Sequence, residues 1–341
     1  MVIEDPFAAA LDPELPTVAS ALDPEAVKHR FKRRLPRLAG TDGTVSVRAI
    51  RVVRHKPGRR CVVEYDLRVD RPGEAKRRAT VLGKIRARRY GKADYDLLDL
   101  LWRAGFDAES ADGISVPEPI AVVPKMHMWL QRKVPGTVAT ELLAGEPGPA
   151  LGRRVAEAAH KIHRAGVPAR RTHTIDDELA ILRRCLDDLA RAQPRRAQRV
   201  RRLLAGCERL AETLPAAERC GIHRDFYADQ VVVDGERLHL IDFDLYCLGD
   251  PALDIGNFLG HLAEQSVRTY GDPDALADVE CALEERFVEL AGERVRRGVR
   301  GFAVLTLARL VYLSTRLPGR GRLTPQLLEV SEQRLAHALR L

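Results

Sequence analysis

The chain has 341 residues, 45% of them hydrophobic, which is ample for a sizeable core and suggests two lobes. Its net charge of +8 comes with only 5% aromatic residues, and no arginine cluster is interleaved with aromatics. A nucleic-acid platform is therefore unsupported, whereas an anionic nucleotide would be attracted. Six scattered cysteines form no C-x-x-C pair, which excludes a zinc knuckle or redox motif and fits buried thiols in a reducing cytoplasm.

The first sixteen residues carry Glu4, Asp5, Asp12 and Glu14 and lack the basic and apolar runs of a signal peptide, so a cytoplasmic protein is expected. Asp23-Pro24 opens a helix through Arg34, with Asp23 as N-cap. Residues 45–53 read as a strand. In the turn that follows, Pro57-Gly58 fits a type II geometry because Gly58 can take φ > 0. Residues 61–69 alternate: Cys61, Val63, Tyr65, Leu67 and Val69 share one face, and Glu64, Asp66 and Arg68 the other. That is a half-buried antiparallel strand. Residues 79–86 form the third strand, with Lys84 inside it; Lys76 precedes it and Lys92 follows.

Residues 93–104 read as a helix with Leu97, Leu98, Leu100, Leu101 and Trp102 inward, ended by Gly105. Two further strands lie near 115–120 and 126–132, and 130–136 leaves the sheet. Helices follow over 152–164, 176–192 and 196–214, the last two parted at Pro194. The tail carries helical patterns over 275–291, 299–317 and 324–339. The apolar stretch 302–317 contains Arg309 and Arg316 and is too short and charged to span a bilayer; no membrane association is expected.

Residues 221–258 hold the densest pattern. They include His223-Arg224-Asp225, two apolar runs flanking Asp234-Gly235, and then Asp242-Phe243-Asp244. Asp-Gly between β-formers signals a hairpin. Asp225 precedes the hairpin and Asp242 follows it, so the two acids are expected to face one cleft. Such a pair suits phosphoryl transfer: one carboxylate orients a hydroxyl and takes its proton, and the other holds Mg²⁺ on nucleotide phosphates. The spacing is similar to the catalytic signature of protein kinases, with Gln230 in place of Asn and Asp244 in place of Gly.

With Gly249-Asp250-Pro251 and Asp254 added, the chain resembles the aminoglycoside phosphotransferase and choline kinase family of small-molecule kinases. The resemblance implies an α+β, bilobal, protein-kinase-like fold. Residues 1–133 would form a small antiparallel-sheet lobe with one main helix, and 134–341 a mostly helical lobe. ATP, or GTP, and Mg²⁺ would bind between them, with a small-molecule hydroxyl as acceptor. Asp225 would be the base, Asp242 a metal ligand and Gln230 the second metal position. Lys84 would reach the α- and β-phosphates, held by an acid of the following helix: Asp96 is the choice, with Asp94 and Asp99 equally allowed. Gly58 and Arg59 would approach the phosphates. The Gln131 carbonyl and Lys133 amide would meet the base. Asp250 and Asp254 would support the loop, and Asp254 would also cap a helix through His261. His223 and Arg224 would brace the loop, and His163 would be packed.

The crowd of arginines from Arg183 to Arg202 gives a mild lean away from polycationic acceptors. Two other readings stay open: a Ser/Thr protein kinase and a catalytically silent nucleotide-binding protein. The acceptor's identity and the oligomeric state are not encoded in any recognisable motif.

Overall fold

The computed structural model describes residues 1–31, 35–87 and 91–340. The chain divides into two compact units, Met1–Pro135 and Gly136–Leu341. The first is sheet-rich and the second largely helical.

The first unit is built on a six-stranded sheet. Its strands are β1 (Val2–Glu4), β2 (Thr44–Lys56), β3 (Arg60–Asp70) and β4 (Arg77–Arg86), with β6 (Pro119–Val123) and β7 (Met128–Arg132) following a short β5 (Ile114–Ser115). The spatial order is β1-β2-β3-β4-β7-β6. All pairings are antiparallel except β1 with β2, which is parallel. The expectation of a purely antiparallel sheet is corrected at that edge. Strand β2 is also longer than its apolar run, and it bulges between Val47 and Ala49 and between Val52 and Arg54.

The alternation in β3 decides which face is buried. Val63, Tyr65 and Leu67 join Ile85 and Met128 under α1 (Thr17–Leu22), α2 (Pro24–Phe31) and α3 (Pro36–Ala39). Tyr65 is fully buried, edge-on to Phe31 at 5.1 Å, and its hydroxyl donates to the Ala21 carbonyl at 2.9 Å. Asp23 accepts from the Glu25 and Ala26 amides at the start of α2, and the rest of the expected helix, 32–34, lies outside the described residues. The opposite face carries Glu64, Asp66, Thr80 and Lys84.

Helix α4 (Lys92–Leu101) buries Leu98 and Leu101, but Leu100 is 45% exposed, against expectation. After Leu101 the chain widens into a looser turn at Trp102, with Gly105 at φ 92°.

The second unit begins with β8 (Thr137–Val138), α5 (Gly148–Arg164), α6 (Ile175–Ala192) and α7 (Ala197–Glu212). Strands β9 (Cys220–Ile222), β10 (Val231–Asp234), β11 (Arg237–Leu240) and β12 (Cys247–Gly249) follow. The helices α8 (Pro251–Gln265), α9 (Ala277–Ala291), α10 (Val295–Arg316) and α11 (Thr324–Ala338) complete it. Helix α10 packs against α8, α6 and α11, and α5 packs against α9. The β10–β11 hairpin forms as its apolar runs require, but Asp234 pairs with Arg237, so Gly235-Glu236 makes the turn rather than Asp234-Gly235.

No described helix is long and apolar enough to cross a membrane. All six cysteines are thiols. Cys61, Cys207 and Cys247 are buried as expected, but Cys281 is exposed.

Gly83 faces the core, directly before Lys84. A β-carbon there would lie 2.4 Å from the Met128 sulfur and 2.9 Å from the Tyr65 ring. Gly83→Ala is expected to destabilise the protein by about 1–3 kcal/mol through overpacking. Urea unfolding of the purified variant measures this, and a change below about 0.5 kcal/mol would contradict the packing described.

Candidate active site

The second unit's acidic constellation is assembled from α8 outward. Asp250, not Asp254, is the N-cap of α8: its carboxylate accepts from the Ala252 amide at 2.9 Å, with Pro251 at the first helical position. Asp254 sits one turn further in, fully buried, and reaches away from its own helix. Its Oδ2 accepts from the His223 amide at 2.8 Å and its Oδ1 from the Arg224 amide at 2.6 Å. His163 Nε2 on α5 completes the shell, 2.9 Å from Oδ2. Asp254 thus supports the loop as expected but does not cap the helix, and the two backbone donors stabilise its buried carboxylate.

The same face of α8 holds the rest of the loop. Asn257 donates to the Phe226 carbonyl at 2.9 Å. His261 stacks on Tyr227, with ring centroids 4.4 Å apart and planes 19° apart. Gln265 donates to the Thr140 carbonyl at 2.8 Å, and the Thr140 hydroxyl donates to Asp229. The loop side of the hairpin is closed by His223, whose Nε2 donates to the Ile241 carbonyl at 2.9 Å. The Ile241 amide in turn donates to the Gln230 carbonyl at 3.0 Å.

Asp225 follows His223 by two positions, and Asp242 follows Ile241 directly. The His223–Ile241 bond therefore ties together the two segments that carry them. Tyr227 senses both acids: burial first, then the charges of Asp225, Asp229 and Asp242, raise its hydroxyl above the usual tyrosine value. Arg224 and Asp242 both adopt left-handed backbone, with φ of 71° and 65°. Gln230 is buried and its side-chain amide is hydrogen-bonded to Tyr227.

Among the described residues, no group of three or more His, Cys, Asp or Glu side chains is arranged to hold a metal. Mg²⁺ binds through one or two carboxylates and takes its remaining ligands from phosphates and water. Asp242 would be such a carboxylate, and Gln230 would have to exchange its bond to Tyr227.

In the first unit, Lys84 lies on the polar face of β4, its ammonium 5.0 Å from the centre of the Trp129 ring. None of the three acids weighed for it is recorded as its partner. Asp96 pairs with Lys92 at 2.6 Å and Asp99 with Arg37 and Arg103. Asp94 forms an ion pair with Arg86 at 3.0 Å. The strand-to-helix ion pair exists, then, but two residues along β4 from the lysine.

Strand β7 also departs from expectation. The Lys133 amide donates to the Thr80 carbonyl at 2.9 Å, so it is engaged within the sheet, and its ammonium pairs with Glu64 at 2.6 Å. Gln131 is buried and registers opposite Leu82. Backbone groups alternate sides along a strand, so Arg132 points away from β4, its amide donating to the Glu118 carbonyl at 2.8 Å.

The hairpin tip at Gly58 is occupied by the protein itself. Asp12 accepts from the Gly58 amide at 2.9 Å, and the same oxygen lies 2.7 Å from His55 Nε2. The Glu14 amide donates to its other oxygen at 3.0 Å. Gly58 has φ 67°, as a type II turn requires, but its amide faces Asp12. The spacing of forty-odd residues left no sequence signal for this contact.

Residues 51–302 match the family described as the phosphotransferase enzyme family. No curated protein matches the chain. Among solved structures, a spectinomycin phosphotransferase in complex with ADP and spectinomycin is similar at 12% identity and TM-score 0.55. The match covers 92% of this chain and 97% of that one. A choline/ethanolamine kinase family protein from Mesorhizobium loti is similar at 16% identity and TM-score 0.54, covering 93% and 98%. An amicoumacin kinase in complex with AMP-PNP and Ca²⁺ is similar at 14% identity and TM-score 0.55, covering 83% and 88%. At these identities the likeness concerns the fold.

The Gly58 amide, first, then His55 and the Glu14 amide hold Asp12 below the usual aspartate value of 3.8, against the opposing effect of burial. A carboxyl depressed in the folded state stabilises above its unfolded pKa, and that stability is lost as pH falls through the folded value. Asp12→Asn should therefore cost about 1.5 kcal/mol at pH 7. The gap to wild type should close as pH drops below 3.8. Denaturant midpoints measured from pH 7 to pH 3 test this, and a gap that widens on acidification would refute it.

Proposed function

The chain belongs to the phosphotransferase enzyme family, and on that premise we propose that it moves the γ-phosphoryl group of ATP to the hydroxyl of a small molecule. The observation that carries the reading is the His223–Ile241 bond, which joins the segments bearing Asp225 and Asp242. Asp225 orients the acceptor hydroxyl and takes its proton. The acceptor oxygen–phosphorus bond forms as the bond from the γ-phosphorus to its bridging oxygen breaks, and ADP leaves. Mg²⁺, when bound, neutralises phosphate charge; Asp242 would hold it, with Gln230 as the secondary position. The rate gain comes from positioning and charge rather than from covalent chemistry.

Lys84 would neutralise the α- and β-phosphates after leaving the Trp129 ring. Arg86, braced by Asp94, lies two residues on along the same face. Because the Lys133 amide is bonded to Thr80, the base would meet the neighbouring Arg132 carbonyl and Val134 amide instead. Gly58 contributes through the shape of its turn, because its amide is taken by Asp12. Arg59 remains the tip's candidate for the phosphates. GTP would serve equally if its base edge fits the same backbone groups.

Two measurements test the reading. Asp225→Ala should lower kcat by about 10²–10⁴ while the Kd for Mg·ADP stays within about twofold. Wild-type turnover in that variant would sink the assignment. Lys84→Met should weaken Mg·ADP binding by about tenfold or more, as loss of a charge-assisted contact predicts. Calorimetric titration reads this directly, and an unchanged Kd would remove Lys84 from the phosphate site.

A further inference from the structure

The face of α8 that holds the catalytic loop continues past His261 into a cluster of arginines. Glu264, buried one turn on, accepts through Oε1 from Arg268 Nε at 3.1 Å and from Arg320 Nη1 at 3.1 Å. Arg309 on α10 donates to Asn257 Oδ1 at 2.8 Å and reaches Glu178 at 3.5 Å. Glu178 is already paired with His173 at 2.6 Å. One carboxylate thus serves two guanidiniums, and the third guanidinium leans on a neutral amide and a shared acid. On the His261 side of the stack three guanidiniums thus meet two carboxylates, whereas Asp225, Asp229 and Asp242 lie on the Tyr227 side.

His261 registers that excess. Burial first, then Arg309, Arg320 and Arg268, hold its pKa down to about 3, so the ring is neutral. The arginines keep access to solvent, with side chains 37% exposed for Arg320, 31% for Arg268 and 20% for Arg309. Each guanidinium has five donors, more than the recorded bonds use. The nearby acids are otherwise committed. Asp229 takes the Thr140 hydroxyl, and Asp225 and Asp242 are assigned to the acceptor and the metal. Arg268, Arg309 and Arg320 act on His261, which stacks on Tyr227, and Tyr227 stands two residues from Asp225 and feels its charge.

We propose that the acceptor is an alcohol carrying an anionic group, a carboxylate or a phosphate, which docks on Arg268, Arg309 and Arg320 beside the Tyr227–His261 stack while its hydroxyl faces Asp225. The inference rests on the kinase reading above. An arginine fork recognises such oxyanions by paired, charge-assisted hydrogen bonds. A polycationic acceptor would instead meet like charge there. The arginine-rich sequence of α6 and α7 suggested the same sign, but the cluster that matters here comes from α8, α10 and the turns that follow them.

The test uses the full chain saturated with Mg·ADP. Its melting temperature is recorded against a library sorted by charge: sugar and polyol phosphates, hydroxy acids, neutral polyols, and amino alcohols including aminoglycosides. The same library is then screened for ADP release from ATP. Binding and turnover should be confined to phosphates or hydroxy acids, and which of the two responds identifies the anion. Arg320→Gln should weaken binding of the responding compound about tenfold or more, with Arg320→Lys recovering part of it and Mg·ADP affinity within twofold of wild type. Preference for neutral or ammonium acceptors, indifference to Arg320→Gln, or no bound member of either anionic class would overturn the proposal. Failure to bind Mg·ADP at all would instead overturn the kinase reading.

Discussion

The second unit depends on one buried carboxylate. Asp254 has no solvent exposure, and its two oxygens receive the amides of His223 and Arg224 together with His163. A lone buried carboxylate would cost several kcal/mol or take up a proton. Here the donors stabilise it, and in return it fixes the backbone two residues before Asp225. Removing it would strand two amides and an imidazole in an apolar shell, so the anchor and the loop conformation stand or fall together.

The anchor works because α8 presents Asp254, Asn257, His261 and Gln265 at helical spacing, each against a different part of the same loop or its neighbour. A rigid helix thereby dictates the path of an irregular segment residue by residue. The sheet unit uses a different device. Its strands alternate, so one face takes Tyr65 and Met128 into the core while the other is left for Arg51, Glu64, Asp66, Lys84 and Lys133, paired across strands. The helix positions acids through buried bonds; the sheet displays cations through its pleat.

Much of this was legible in the sequence, for identifiable reasons. The strands of the first unit show period-two alternation that only one burial pattern satisfies. The Asp225 and Asp242 segments are separated by a short hairpin, whose register follows from its two apolar runs. The misses are equally physical. Asp94, Asp96 and Asp99 lie on one helix, and composition cannot tell which of them turns toward β4. An acid following Asp-Pro reads as a cap whether or not it serves its own helix, and the cap is Asp250, while Asp254 keeps only its expected support of the loop. A one-residue shift along β7 reverses the direction of every backbone group, so the Lys133 amide bonds to Thr80 and the Arg132 amide faces the other way, to Glu118. The Asp12–Gly58 contact and the parallel pairing of β1 are long-range and leave no local pattern.

Backbone strain sits at or beside both candidate acids, and its location follows from the anchoring. Arg224 immediately precedes Asp225, and Asp242 is itself the metal-ligand candidate; both hold positive φ without being glycine. Each such residue costs about 1–2 kcal/mol relative to right-handed backbone. A hydrogen bond to a charged group returns about 1.5–3 kcal/mol. The Arg224 amide makes one to Asp254, and the carbonyl just before Asp242 accepts from His223. The strained conformations are therefore held by bonds on the buried side of the loop. Such sharp local turns swing side chains out of the regular path of a strand or helix, which glycine could permit but would not enforce. A loop relaxed into ordinary φ would keep its sequence motif and lose the geometry, so the motif acquires chemical meaning only through the buried bonds behind it.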